Sequence, residues 1–243
     1  MAKAKKLNEL DLSREGLAKM IDHSVLNTDS QKKDVDECIA KAIKYGFKGC
    51  HTNPYWSPYV QEQLKGTGIE CSWTTSFPMG ATATENKINE AKLGVKLLSG
   101  GPWVMDMVAN VGALKDGQYD YYKNEIAEIT KIVHDGGAEC KVIIEAQLLT
   151  DDEIRAACDL IAEAGADWVK SSTGRAGGPN LNVVKTLCEA APDPLRVKVA
   201  GTGSFWTPMV VLGCLLCGVE RIGTRSGDKI VDELCDVVVP MLF

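Results

Sequence analysis

The chain has 243 residues, of which 45% are hydrophobic and 25% charged, a composition typical of soluble globular proteins. Its formal net charge of −6 argues against nucleic-acid binding, which calls for a basic domain or stripe. No apolar run reaches the roughly 18 residues needed to span a bilayer, and the N-terminus lacks the apolar core of a signal peptide. We therefore expect a cytoplasmic protein without nucleic-acid or membrane partners.

Nine cysteines are present, and most fall inside apolar segments. Cys214 and Cys217 form a C-x-x-C pair, a spacing found in zinc and redox sites. Because no second pair follows at a zinc-finger spacing and the pair lies in an apolar helical stretch, we expect buried, reduced cysteines that pack as small hydrophobic residues. No metal site and no bound cofactor are expected.

Short β-rich runs recur along the whole chain at intervals of roughly 25 to 35 residues. Helical patterns lie between them, at 34–45 and more clearly at 120–133 and 151–164, and several end at a glycine just before the next run. The predicted strands are 20–23, 47–51, 69–75, 104–108, 140–145, 166–170, 195–199 and 219–223.

Alternating strands and helices predict a parallel sheet, and eight such units favour closure into a single (β/α)8 TIM barrel over an open sheet. The first strand is not followed by the G-x-G-x-x-G of a dinucleotide-binding fold. We predict one domain over 1–243, with 1–15 as an N-terminal helix or tail outside the barrel.

Four ionisable residues stand near the carboxyl ends of otherwise apolar strands: Asp22, Asp106, Lys170 and Lys198. Active sites of (β/α)8 barrels lie at this end of the strands. If the two lysines face each other, burial and mutual repulsion would favour a neutral amine on one of them, as attack on a carbonyl requires. The alternative is a set of structural ion pairs, such as Lys198 with Asp106, that performs no chemistry.

Glycine-rich loops follow the seventh and eighth predicted strands, and residues 172–175 after the sixth could add to the same site. Loops after strands seven and eight commonly bind phosphate through backbone N–H groups, although each segment by itself also fits an ordinary turn. The candidate substrate- and phosphate-binding residues are Asp22, Thr173, Gly174, Arg175, Gly201, Thr202, Gly223, Arg225 and Ser226.

Taken together, these segments resemble the deoxyribose-phosphate aldolase family over nearly the whole chain, in order and in spacing. The pieces that carry the resemblance are IDHSVL (21–26), NPY (53–55), FPMGA (77–81), ENK (85–87), MDMVANVG (105–112), KVIIE (141–145), VKSSTG (169–174) and RIGT (221–224).

The resemblance implies a metal-free class I aldolase in which Lys170 forms a Schiff base with 2-deoxy-D-ribose 5-phosphate. It implies that Lys198 perturbs this amine, that Asp106 and Lys198 relay protons, and that Asp22 supports the pocket. The products would be glyceraldehyde 3-phosphate and acetaldehyde. Barrels of this type often dimerise, so a homodimer fits the sequence, although no interface is evident in it.

Two loops depart from the family pattern, both on the side expected to bind phosphate. The loop after Lys198 lacks the family's paired glycines and basic residue, with Thr202 and Ser204 in this stretch, and Arg225 stands where the family has a serine. Arg225, with help from Arg175, would either grip the same phosphate or recognise a different anion. The sequence thus leaves open the same chemistry on another phosphorylated or acidic sugar, and a barrel that binds a phosphorylated metabolite without turnover.

Overall fold

In the computed structural model, which describes residues 3–201 and 205–242, eight parallel strands close into a barrel in chain order. This confirms the predicted (β/α)8 fold. The strands are β1 Ile21–Val25, β2 Gly49–Thr52, β3 Glu70–Thr75, β4 Trp103–Val108, β5 Glu139–Ile143, β6 Trp168–Lys170, β7 Arg196–Ala200 and β8 Arg221–Thr224.

A short helix precedes the first strand, and the other helices follow strands and cover the outside of the barrel. They are α1 Arg14–Ala18, α2 Lys32–Tyr45, α3 Ser57–Gln63, α4 Thr84–Leu98, α5 Val111–Lys115, α6 Tyr119–Asp135, α7 Asp151–Glu163, α8 Leu181–Ala190, α9 Pro208–Cys217, α10 Gly227–Glu233 and α11 Val239–Leu242. A π-helical turn, Leu234–Val238, joins the last two.

Helix α7 illustrates how the local sequence builds these elements. Thr150 and Glu153 cap its first turn reciprocally, which satisfies backbone N–H groups that have no partner inside a helix. A stripe of apolar residues with helical spacing, Ile154, Ala157 and Ile161, is buried against the rest of the core. The chain leaves the helix at Gly165, whose φ of 78° suits a residue without a Cβ atom.

Alternation along the strands decides which side chains enter the barrel. Met105 and Met107 belong to the apolar core cluster, and Asp106 lies between them on β4. Because successive side chains of a strand point to opposite faces, Asp106 is directed to the other side, into the barrel. The same alternation places Lys198 between Val197 and Val199 of the core.

The N-terminal segment packs against the other elements. It forms a 3₁₀ turn, Leu7–Glu9, before α1, and the backbone N–H of Lys5 donates to the carbonyl of Leu216 on α9. Within residues 3–201 and 205–242, no helix has the length and apolar character needed to cross a membrane.

Candidate active site

A cavity of about 370 Å³ opens at the carboxyl ends of the strands, where (β/α)8 enzymes have their active sites. Its wall includes nine residues proposed from the sequence, namely Asp22, Lys170, Thr173, Arg175, Lys198, Gly201, Gly223, Arg225 and Ser226. Asp106 does not line the cavity itself but contacts two of its lysines. Gly174 is not part of the wall formed by the described residues, and Thr202 and Ser204 lie outside them.

The two predicted lysines are neighbours across one strand pair, because Lys170 of β6 is in register with Lys198 of β7. Asp106 joins them. Its Oδ2 atom accepts hydrogen bonds from Lys170 Nζ at 2.6 Å and from Lys198 Nζ at 3.1 Å. All three side chains are buried. The ion pair proposed as an alternative therefore exists, but it includes both lysines.

Asp22 is a second centre of charge beside the first. Lys198 Nζ lies 2.7 Å and Lys141 Nζ 3.0 Å from its Oδ2 atom, while Arg221 Nη1 donates to Oδ1 at 2.9 Å. The neighbouring Gly49 on β2 leaves space for this carboxylate, because a Cβ atom there would lie 2.6 Å from Asp22 Oδ1.

Cations outnumber anions in this buried network. Among residues 3–201 and 205–242, two buried carboxylates, Asp22 and Asp106, contact four cations, namely Lys141, Lys170, Lys198 and Arg221. Arg221 also reaches the half-buried Glu70 at 3.3 Å. Loss of a proton from one lysine relieves this excess.

Lys170 is a favoured place for that loss. Burial and the charge of Lys198 lower the pKa of Lys170 to about 8, against the opposing charge of Asp106. Burial would also lower the pKa of Lys198, but its contacts with Asp106 and Asp22 outweigh burial and raise it. The arrangement therefore keeps Lys198 as an ammonium ion, whereas the ammonium group of Lys170 loses its proton readily and becomes a free amine.

Both carboxylates stay ionised. Burial alone would raise the pKa of Asp106, but Lys170 and Lys198 hold it well below its usual value. For Asp22, burial is likewise outweighed, here by Lys141, Lys198 and Arg221. Asp106 Oδ1 is buried without a hydrogen-bond partner among the described residues, so this oxygen can accept a further hydrogen bond.

His51 of β2 was not among the residues proposed from the sequence. It lines the cavity between the two carboxylates, with Nε2 3.1 Å from Asp22 Oδ2 and Nδ1 3.7 Å from Asp106 Oδ2. Burial and the charge of Lys198 lower the pKa of His51 to about 4, which keeps the ring neutral at pH 7.

The outer part of the cavity carries two guanidinium groups, Arg175 and Arg225. Arg175 donates to the carbonyl of Leu26, which ties the loop after β6 to the loop after β1. Trp206 also lines this cavity, and its Nε1 atom donates to the carbonyl of Gly201 at 2.8 Å. An anion at this rim would therefore meet positive charge and an aromatic wall.

The network also contains three residues that were not predicted as site residues from the sequence: Lys141, Arg221 and His51. Each is a polar or charged residue inside a strand, which is the signal that singled out Asp106 and Lys170. The signal was present in the KVIIE and RIGT segments, where Lys141 and Arg221 stood as parts of a motif. Their contact with Asp22 depends on strands far apart in the chain.

The two buried histidines predict acid-sensitive stability. Burial lowers the pKa of His23 to about 4, as it does for His51, so the unfolded chain binds two more protons than the folded chain between about pH 6.5 and 4. The free energy of unfolding should therefore fall as the pH drops through this window. The loss is at most roughly 3 kcal/mol for each histidine, at about 1.4 kcal/mol per pKa unit.

Urea unfolding at a series of pH values between about 7 and 4 measures this loss. His23→Gln and His51→Gln should each remove part of the pH dependence. A free energy of unfolding that is constant across the window would contradict the burial of both rings in neutral form.

A (β/α)8 barrel with a buried, readily deprotonated lysine beside a carboxylate and a second lysine has the features of a Schiff-base aldolase. Comparison with known sequences identifies the family. Residues 17–204 match the DeoC/LacD family aldolases, and the chain belongs to that family.

Similar proteins cover most of the chain. It is 42% identical to the deoxyribose-phosphate aldolase of Thermococcus gammatolerans over 89% of this chain and 95% of that protein. It is 40% identical to the enzyme of the same name from Thermococcus kodakarensis, over 93% of this chain and all of that protein.

Solved structures similar to this chain carry the same enzyme name. A putative deoxyribose-phosphate aldolase from Coccidioides immitis is 30% identical, with a TM-score of 0.85, and the match covers 96% of this chain and 89% of that one. The tetrameric deoxyribose phosphate aldolase from Aeropyrum pernix is 26% identical, also with a TM-score of 0.85, over 94% of this chain and 95% of that one.

Proposed function

We propose that this protein is a class I aldolase that reversibly cleaves 2-deoxy-D-ribose 5-phosphate to glyceraldehyde 3-phosphate and acetaldehyde, with Lys170 as the nucleophile. The main support for the proposal is the position and the lowered pKa of the Lys170 amine. Its amine lines the cavity, its pKa is lowered to about 8, and Asp106 lies 2.6 Å away. The relatives named above support the choice of substrate.

The first half of the reaction forms the covalent intermediate. The neutral amine of Lys170 adds to the aldehyde carbon of the substrate, and loss of water gives an iminium ion. Lys198 remains protonated, since its pKa is raised, and it supplies the positive charge that keeps the neighbouring Lys170 amine free.

The second half breaks and rebuilds bonds to carbon. The C3 hydroxyl loses its proton to Asp106, whose Oδ1 atom has no partner among the described residues, and the C2–C3 bond breaks. The electron pair of that bond forms the C1–C2 double bond of an enamine, while the π electrons of the C=N bond move to the nitrogen and neutralise its charge. Glyceraldehyde 3-phosphate leaves, C2 of the enamine takes up a proton, and hydrolysis releases acetaldehyde and Lys170.

Turnover of purified protein tests the substrate. We expect release of acetaldehyde from 2-deoxyribose 5-phosphate, measured with a coupled alcohol dehydrogenase, at a kcat/KM well above that for ribose 5-phosphate or unphosphorylated 2-deoxyribose. Turnover of another phosphorylated or acidic sugar in preference to deoxyribose phosphate would move the same lysine chemistry to that substrate.

Arg175 and Arg225 give this cavity two guanidinium groups at its outer end, which are candidates for binding the phosphate of the substrate. We propose that both bind the substrate phosphate, together with Thr173, Gly174, Gly201, Thr202, Gly223 and Ser226 as expected from the sequence. A guanidinium group binds phosphate through paired, charge-assisted hydrogen bonds.

Replacement of Arg225 by serine tests this assignment. A hydrogen bond to a charged group contributes about 1.5–3 kcal/mol, so Arg225→Ser should raise KM for the phosphorylated substrate roughly 10- to 100-fold, with kcat little changed. Kinetics with unphosphorylated 2-deoxyribose should not change.

Arg155→Ser is the matched control, because Arg155 is an exposed arginine on α7 and does not line the cavity. An unchanged KM in Arg225→Ser, or an equal rise for substrates with and without phosphate, would remove Arg225 from the phosphate site.

Homodimerisation and a cytoplasmic location stay predictions of the sequence. The Aeropyrum pernix relative is described as tetrameric, which supports self-association of this chain without favouring two copies over four.

A further inference from the structure

The position of His51 leads to an inference that rests on the proposed aldolase function and extends it. The imidazole lies in the wall of the cavity, 2% exposed, with one carboxylate at each ring nitrogen. The charged groups that face it are Asp22 from β1, Asp106 from β4 and Lys198 from β7.

The neutral ring of His51 has too few N–H groups for its two carboxylate neighbours. A neutral imidazole carries a single N–H, so one of its nitrogens presents a lone pair to a carboxylate, which is unfavourable. Although Nε2 is close to Asp22, it lacks a well-aligned hydrogen-bond partner among the described residues. Buried polar atoms without partners are rare in folded proteins and often mark functional sites.

Arrival of a proton at the ring removes this conflict. An imidazolium ion donates from both nitrogens, one toward Asp22 and one toward Asp106. A carboxylate that orients one ring nitrogen while the other faces the reaction is the arrangement by which enzymes stabilise a transient imidazolium.

We propose that His51 holds the proton of the substrate hydroxyl while the enamine exists, and that it takes this proton from Asp106 and returns it through Asp106. The O–H bond at C3 breaks, its proton passes to Asp106 and then to Nδ1 of His51, and the same number of protons returns to C2 of the enamine. No other reactant is required, since cleavage releases one proton and protonation of the enamine consumes one.

Competing acceptors are less suitable. Lys198 is already protonated, because Asp106 and Asp22 together outweigh its burial and raise its pKa. The pKa values of Asp22 and Asp106 are held well below that of a free carboxyl. The ring of His51 is neutral at pH 7, and its Nδ1 atom lies 3.7 Å from Asp106 Oδ2, so it is a nearby group that can take up a proton from Asp106.

Exchange of acetaldehyde protons isolates this step, because it needs the iminium and the enamine but no carbon–carbon cleavage. In D₂O the wild-type protein should exchange the methyl protons of acetaldehyde for deuterium, and the loss of the methyl signal in the proton NMR spectrum measures the rate. His51→Gln and His51→Asn place an amide near Nε2 and Nδ1 respectively and remove the titratable ring. Both should slow the exchange about 100-fold, the lower end of the range for general acid–base catalysis, and change the pH profile of kcat.

Borohydride trapping of acetaldehyde on Lys170 should persist in both variants, since the proposal confines His51 to steps after the iminium. His23→Gln is the matched control, because His23 is also buried, has a pKa of about 4 and does not line this cavity. It should exchange acetaldehyde at the wild-type rate. Exchange within about threefold of wild type in a folded His51 variant would overturn the proposal, since acid–base catalysis contributes at least about 100-fold, and so would loss of trapping.

A measurement without substitution covers the case in which the variants do not fold. Nitrogen-15 NMR of histidine-labelled protein should find His51 neutral at pH 7, and a charged ring would contradict the proposal because it could accept no proton. Absence of both trapping and exchange in the wild-type protein would instead refute the proposed aldolase function.

Discussion

Lys170→Met is expected to abolish aldol cleavage. Methionine is unbranched and close to lysine in length, so it occupies the same space without an amine. The covalent intermediate cannot form, and loss of a catalytic nucleophile lowers kcat by a factor on the order of 10⁴ or more. The rate of acetaldehyde release from 2-deoxyribose 5-phosphate measures the loss, and circular dichroism checks the fold.

Lys170→Arg separates the nucleophile from the ion pair. Arginine keeps the positive charge near Asp106, which Lys170 contacts at 2.6 Å, but its guanidinium does not lose a proton in proteins and does not form the iminium. We expect this variant to be as inactive as Lys170→Met. Activity close to wild type would support the structural ion pair that the sequence left open.

Asp106→Asn is expected to have the second-largest effect, and of a different kind. The amide is nearly the same size as the carboxylate but accepts no proton, so kcat should fall by about 10²- to 10⁴-fold. Formation of the iminium should persist, because Lys170 is retained, and borohydride should still trap acetaldehyde on it.

Asp106→Asn should also shift the pH at which borohydride traps acetaldehyde on Lys170. The charge of Asp106 raises the pKa of Lys170 against burial and Lys198, so its removal should lower that pKa below about 8. More amine is then neutral at a given pH, and trapping should begin at a lower pH in Asp106→Asn than in wild type. Onset at a higher pH, or trapping lost in parallel with cleavage, would contradict the assigned roles.

Much of the fold could be predicted from the sequence because each unit follows local rules. The predicted helix 151–164 corresponds to α7, Asp151–Glu163, since its cap and its apolar stripe lie within one segment. Strand limits were less accurate. The strand predicted at 140–145 ends at Ile143, because Glu145 adopts a left-handed conformation with φ 48° and starts a 3₁₀ turn.

The site was only partly predictable for a similar reason. Asp22, Asp106, Lys170 and Lys198 stood out as charges inside apolar strands, and the structure brings them into one network. The importance of His51 depends on its distances to carboxylates on β1 and β4. Nothing local to β2 reveals those distances, because they arise only when the barrel closes.

Reduction with borohydride in the presence of acetaldehyde shows which lysine forms the Schiff base. Mass spectrometry should find one added ethyl group on the peptide that contains Lys170, formed faster as the pH rises toward and above about 8, the pKa that burial and Lys198 give this amine. The peptides containing Lys198 and Lys141 should carry none. An adduct on either of those lysines, or no adduct on Lys170, would rule out Lys170 as the sole Schiff-base lysine.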